Sequence, residues 1–203
     1  RVSPLESVET PSAVPAATSV SSNAELEQVK ELLVDSSNNQ RAAARLEKLL
    51  QSEPSNAPAL LMQAWILLNQ KHFAQAQAQL SKVLELTPWC IDALLALGLC
   101  HKWQAELEHA VQSLKKACYS NPESWLAHYH LADTYKQLGE LEAAQQAYQV
   151  VRRVLSNDLA TASGCIWLPL AVPVKDVLFL TERHLLTLRK QVEHNAGGAD
   201  VWR

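Results

Sequence analysis

The sequence predicts an all-α fold: a right-handed solenoid of four helix-turn-helix units closed by a C-terminal helix. Three observations predict it. Pro54, Pro88 and Pro122 stand 34 residues apart. Ala42, Ala76, Ala110 and Ala144 recur on the same step. Leu46, Leu80, Leu114 and Tyr148 keep it too. A helical pair of this length cannot bury its apolar face alone. Neighbouring pairs must stack into a continuous core, which leaves a long curved surface.

Residues 1–22 come first. They are rich in Ser, Pro, Ala, Val and Thr, are punctuated by Pro4, Pro11 and Pro15, and lack a helical period. Such a segment buries too little surface to offset its ordering entropy, so it reads as a disordered linker. The four units follow over 23–156, as 23–56, 57–90, 91–124 and 125–156. Each is expected to hold a first helix of about 14 residues, a turn and a second helix.

The third unit shows the logic. Leu94, Leu97 and Gly98 share one face of its first helix, and Gly98 allows the paired helix to approach closely. Leu107, Ala110, Leu114 and Ala117 make the matching stripe on the second helix. Pro122 then ends the unit, because proline cannot continue a helix. In the fourth unit Leu131, Ala132, Ala144 and Tyr148 take the corresponding slots, and Gly139 falls in the turn. Residues 157–174 break the register and read as an irregular connector with Pro169 and Pro173. The pattern returns from about Asp176 to Glu193, within a final helix of 175–195 and before a flexible tail, 196–203. Asp176 is placed to cap it, and Asn195 with Gly197 to end it. Its stripe of Val177, Leu178, Leu185, Leu188 and Val192 either caps the array or docks another domain.

Composition bounds the function. Apolar residues reach 48%, enough for a core, whereas charged residues are only 19%. The net charge of −3 and the lack of a Lys/Arg block argue against a nucleic-acid partner. No run of 18 apolar residues is present, so no membrane span is expected. Cys90, Cys100, Cys118 and Cys165 match no zinc spacing and read as reduced thiols, which suits a cytoplasm.

The small, bulky, glycine, tyrosine, alanine and proline positions of 23–156 closely resemble the tetratricopeptide (TPR) repeat family. Departures are Leu26, Leu60, Leu94 and His128 in the usual tryptophan slot, Lys30 in a small-residue slot and Ser37 where glycine is common. The resemblance implies a concave groove lined by the first helix of each repeat. The lining slots then hold Glu27, Glu31 and Asp35; Leu61, Met62, Trp65, Leu68 and Asn69; Leu95, Leu99, Lys102 and Trp103; and Tyr129, His130, Asp133 and Lys136. Trp65, Leu68, Leu99 and Trp103 would form an apolar floor, the usual mark of an interaction site. The alternative is that the two Trp rings pack internally against the C-terminal segment. Glu27 and Glu31 would repel a terminal carboxylate, which excludes the Lys/Asn carboxylate clamp of chaperone adaptors. An amphipathic helix or extended apolar peptide with basic flanks suits the groove better.

No catalytic motif is visible. His128 and His130 flank Tyr129 and so point to different sides of a helix. Glu106 and His109 form a single Glu-x-x-His, too little for a di-iron site. No glycine-rich phosphate loop, nucleophile elbow or HExxH is found. The chain is therefore expected to be no enzyme and to need no cofactor or metal. The first expectation is a protein-interaction scaffold. A second resemblance is to the TPR-containing C-terminal extension of CheR-type chemoreceptor methyltransferases. It is carried by the linker, Tyr148 with Leu155, Leu168-Pro169 and the Val177–Leu188 helix, and implies a regulatory or targeting arm. A third reading is an assembly or secretion scaffold, such as a pilus or outer-membrane assembly factor.

Overall fold

The computed structural model describes residues 20–157, 165–168 and 173–199, with side chains from 22 to 191 within those ranges. Residues 1–19 of the expected linker and 200–203 of the expected tail lie outside them. The helices are α1 (Val20–Leu33), α2 (Asn39–Ser52), α3 (Ala57–Asn69), α4 (Phe73–Leu86), α5 (Ile91–Trp103), α6 (Leu107–Ser120), α7 (Trp125–Leu138), α8 (Leu141–Asn157) and α9 (Val174–Ala199). No strand occurs among the described residues. The chain is an all-α, right-handed solenoid of four helical pairs with α9 packed on α8 as the cap.

Local chemistry sets the helix limits. Asn56 accepts the Ala59 N–H at 3.0 Å, and Pro58 occupies the first turn of α3, where its missing N–H is no loss. Ser124 caps α7 in the same way through the Ala127 N–H. Inside the repeats one turn recurs three times. The N–H groups of His72, Glu106 and Glu140 each donate to the carbonyl five residues back, at 2.9 Å. This turn needs one left-handed residue: Lys71 (φ 63°), Ala105 (φ 62°) and Gly139 (φ 80°). Only glycine takes that conformation without steric cost. The first repeat, with Ser37 in this slot, makes a short 3-10 turn over Ser36–Asn38 instead. There Asp35 accepts the Ser37 N–H at 2.9 Å.

The repeat ladders form the core. Ala42, Ala76, Ala110 and Ala144 are all fully buried, as are Leu46, Leu80, Leu114 and Tyr148. Gly98 meets Leu114 so closely that a Cβ there would lie 2.6 Å from Leu114 Cγ. The small-residue slot is thus a steric requirement of helix pairing.

Two helix limits differ from the sequence expectation. α1 begins at Val20, inside the segment read as linker. α9 starts at Val174, where the Pro173 carbonyl accepts the Asp176 and Val177 N–H groups, so Pro173 and not Asp176 opens the helix. It then runs through Asn195 and Gly197 to Ala199, because neither residue breaks a helix outright. Val177, Thr181, Leu185 and Leu188 are the buried face of α9, and Leu178 is only half-buried. Val192 lies outside the described side chains.

Candidate groove and pocket

The inner face is built from α1, α3, α5 and α7, and residues 165–168 lie on it. The Asp92 carboxylate, buried at the start of α5, accepts the N–H groups of Ile166 at 3.0 Å and Trp167 at 2.8 Å. Burial raises the Asp92 carboxyl above its ordinary range; the two backbone N–H groups, and more weakly the Lys30 ammonium, oppose that shift. Leu168 packs into the apolar cluster of Leu61, Leu68, Leu80 and Ala96. Trp167 reaches that cluster and the one formed by Leu26, Val29 and Met62. Residues 165–168, inside the segment read as an irregular connector, are therefore a strap across the middle of the groove. Its Leu and Trp carry no helical period, so nothing in the sequence placed them there.

Beside the strap a pocket of about 240 Å3 opens between α3, α5, α7 and the start of α9. Trp65, Leu95, Leu99, Leu126, Tyr129, Leu168, Val177 and Leu180 make its walls almost entirely apolar. Lys102, Trp103, His130 and Trp125 also belong to the lining. Lys102 pairs with Asp133, which also meets Lys136 at 3.5 Å. Burial alone would raise the Asp133 carboxyl, but Lys102 and Lys136 hold it below the usual carboxylate range. Burial, with Lys102 adding to it, pushes the His130 imidazole down to about 4, so the ring is neutral at neutral pH. His130 Nδ1 and Trp125 Nε1 are both buried and have no hydrogen-bond partner among the described residues. Tyr129 meets His130 and Tyr148 edge-on at 5.7 and 5.8 Å, and His184 of α9 stacks on Tyr148 at 5.1 Å.

The lining residues named from sequence separate into three groups. Trp65, Leu95, Leu99, Lys102, Trp103, Tyr129 and His130 surround the pocket, and Asp133 adjoins it through Lys102. Met62 and Leu68 do not line the groove. Met62 is fully buried against Leu26 and Val29, because its slot faces the junction between successive first helices. Leu68 is buried in the cluster that joins Leu80 of its own repeat to Cys100 of the third. Leu61 shares that fate. Glu27, Glu31 and Asn69 are exposed, away from the pocket lining. The rings also differ from one another. Trp65 is half-buried and packs against three core clusters, so the internal-packing alternative describes it better, whereas Trp103 stays 46% exposed at the pocket rim.

Trp125, Leu126, Val177 and Leu180 were missed. Trp125 sits at the first helical position of its repeat, and the α9 residues enter only because the cap folds back. None of the four cysteines is paired in a disulfide. No helix among the described residues is long and apolar enough to cross a membrane.

The comparisons agree with this geometry. The tetratricopeptide repeat model matches residues 33–97, and a second tetratricopeptide repeat model matches 127–149. The general transcriptional corepressor ssn6 of Schizosaccharomyces pombe is 28% identical over 122 residues, which is 58% of this chain and 11% of that protein. Superkiller protein 3 of the same yeast is 26% identical over 92 residues, 45% of this chain and 7% of that one. The chain thus corresponds to a small part of those relatives' length. Among solved structures, a double mutant of MamA RS-1 is similar with a TM-score of 0.56 and 25% identity, over 66% of this chain and 75% of that one. The type III secretion translocator chaperone SycD of Yersinia enterocolitica shares the fold at a TM-score of 0.56 and 16% identity, over 66% and 83%.

Proposed function

We propose that the tetratricopeptide array of this chain is a protein-interaction scaffold that holds an apolar peptide or helix against its concave face. A large apolar side chain of the partner enters the pocket, and basic flanks lie toward Glu27 and Glu31. One observation carries this reading. An apolar pocket of about 240 Å3 opens on the inner face, with half-exposed Trp103 at its rim and Lys102 in its lining. Half-exposed Trp103 then closes over the inserted side chain, the usual behaviour of an aromatic anchor. SycD, which has this fold, has been solved in complex with a peptide of the translocator YopD. That is a precedent for the fold and does not name this chain's partner.

Selection of short random peptides displayed on phage against the whole chain tests the proposal. Enriched peptides are expected to carry a Trp, Phe or Leu anchor with Lys or Arg nearby. Trp103→Ala should weaken a selected peptide by at least ~1–2 kcal/mol while leaving the helical circular dichroism unchanged. Peptides that bind wild type and Trp103→Ala equally would place recognition elsewhere.

A further inference from the structure

We propose that the turn of the third repeat is a binding site for a divalent transition-metal ion of the zinc class, formed by His101, Glu106 and His109. These residues lie in the turn between α5 and α6, so the inference is independent of the peptide-binding reading. His101 is in the last turn of α5, Glu106 is the residue that opens α6, and His109 is in the first turn of α6. His101 Nδ1 and Glu106 Oε2 are 2.7 Å apart, and the His101 and His109 rings lie 5.5 Å apart. One ligand atom from each of the three falls within 4.8 Å of the others.

The backbone explains the convergence. The same turn, with its five-residue hydrogen bond and one left-handed residue, occurs in the second, third and fourth repeats. It brings three slots together each time. In the second repeat they hold Leu67, His72 and Gln75, and in the fourth Tyr135, Glu140 and Ala143. Only the third fills all three with metal-binding side chains. Structural repetition supplies the shape, and the residue types give this one copy its chemistry. The sequence showed Glu106 and His109 at i, i+3, but the third ligand comes from the preceding helix across the turn.

The donor set selects the ion. Two imidazoles and one carboxylate match Zn2+ and its neighbours, which bind nitrogen at about 2.0–2.1 Å in tetrahedral sites. Ligand atoms in such a site stand about 3.3 Å apart, within reach of small side-chain rotations from the observed arrangement. Ca2+ takes six or more oxygens, so one carboxylate is too few. The ion would replace the direct contact between His101 Nδ1 and Glu106 Oε2. Water or a partner's side chain would fill the open fourth position. The neighbouring Lys102 is paired with Asp133, so its charge is already engaged on the groove side.

The test is titration of the whole chain with ZnCl2 by calorimetry, and with CoCl2 by visible absorption. We expect one equivalent of Zn2+ to bind with a Kd in about the micromolar range, and Co2+ to give tetrahedral ligand-field bands. His109→Ala and His101→Ala should each weaken Zn2+ at least about tenfold. His72→Ala, at the matching turn of the second repeat, should leave it unchanged. MgCl2 and CaCl2 should not compete. Circular dichroism of each variant separates lost ligation from lost folding, and exposed His109 is the variant that spares the core. Zn2+ that fails to saturate the chain below about 1 mM would overturn the site. So would equal affinity in wild type and a folded His101→Ala/His109→Ala double variant.

Discussion

At the first repeat the inner face carries exposed Glu27 and Glu31. Two repeats on, Leu95 and Leu99 fill the same slots, and there the strap, α9 and a pocket cover the face. One backbone thus presents an acidic rim at one end and an apolar, enclosed wall at the other. The repeat fixes where a slot points, and the residue in it decides whether water or protein meets it. An apolar slot draws cover because burial stabilises by about 25 cal/mol per Å2, whereas an exposed carboxylate gains nothing from being covered.

The largest expected effect breaks the covered end. Leu168→Ala removes a side chain only 4% exposed and should lower stability by ~2–5 kcal/mol in urea unfolding. Its neighbour Ile166 is 62% exposed, and Ile166→Ala should change stability by less than ~0.5 kcal/mol. Equal effects at the two positions would mean that the strap is not part of the core.

Acid should also act on the covered end. His130 holds its proton more weakly in the folded chain, with a value of about 4 against 6.5 for an ordinary histidine. The unfolded chain therefore binds the extra proton first. His130 contributes stability that is fully present above pH 6.5 and is lost as pH falls through 4, on the order of 3 kcal/mol in all. In His130→Gln that portion of the pH dependence should disappear from urea midpoints measured between those limits. An unchanged profile would show that water reaches the ring freely.

Helix pairing underneath gives a third contrast. Gly98→Ala forces a Cβ to 2.6 Å from Leu114 Cγ, so either Leu114 shifts or the helices part, at ~1–3 kcal/mol in the same unfolding assay. The smallest effect belongs to the acidic end. Glu27→Lys with Glu31→Lys should leave folding unchanged and weaken a basic-flanked peptide by only ~0.2–1 kcal/mol, less at high salt. A large, salt-independent loss would move the binding site toward the first repeat.

The solenoid was legible because its ladders are periodic. Ala110, Leu114 and Tyr148 occupy the buried slots their spacing assigned. The pocket was half legible. Trp65, Leu99, Trp103, Tyr129 and His130 follow from the repeat, since slot and residue type are both local. Met62 and Leu68 were misassigned to the groove, because a helix face next to a second helix is buried, and single-helix geometry does not show the neighbour's position. The strap was illegible for a different reason. Asp92 holds residues 166 and 167 through hydrogen bonds that span 74 and 75 positions, and no periodicity encodes a contact made once. The setting in which the array works was not legible either, since fold does not name a partner.

The Asp92 anchor also changes how the array comes apart. In a plain stack each repeat touches only its neighbours, so units at either end fray independently and folding spreads from any point along the row. A link between the start of the third repeat and a segment beyond the fourth joins distant units into one cooperative block. It raises the mean sequence separation of contacts, which slows folding. It also places the cost of closing a long loop late in the process, after the helices have formed. The third and fourth repeats should then exchange their amide protons as one unit.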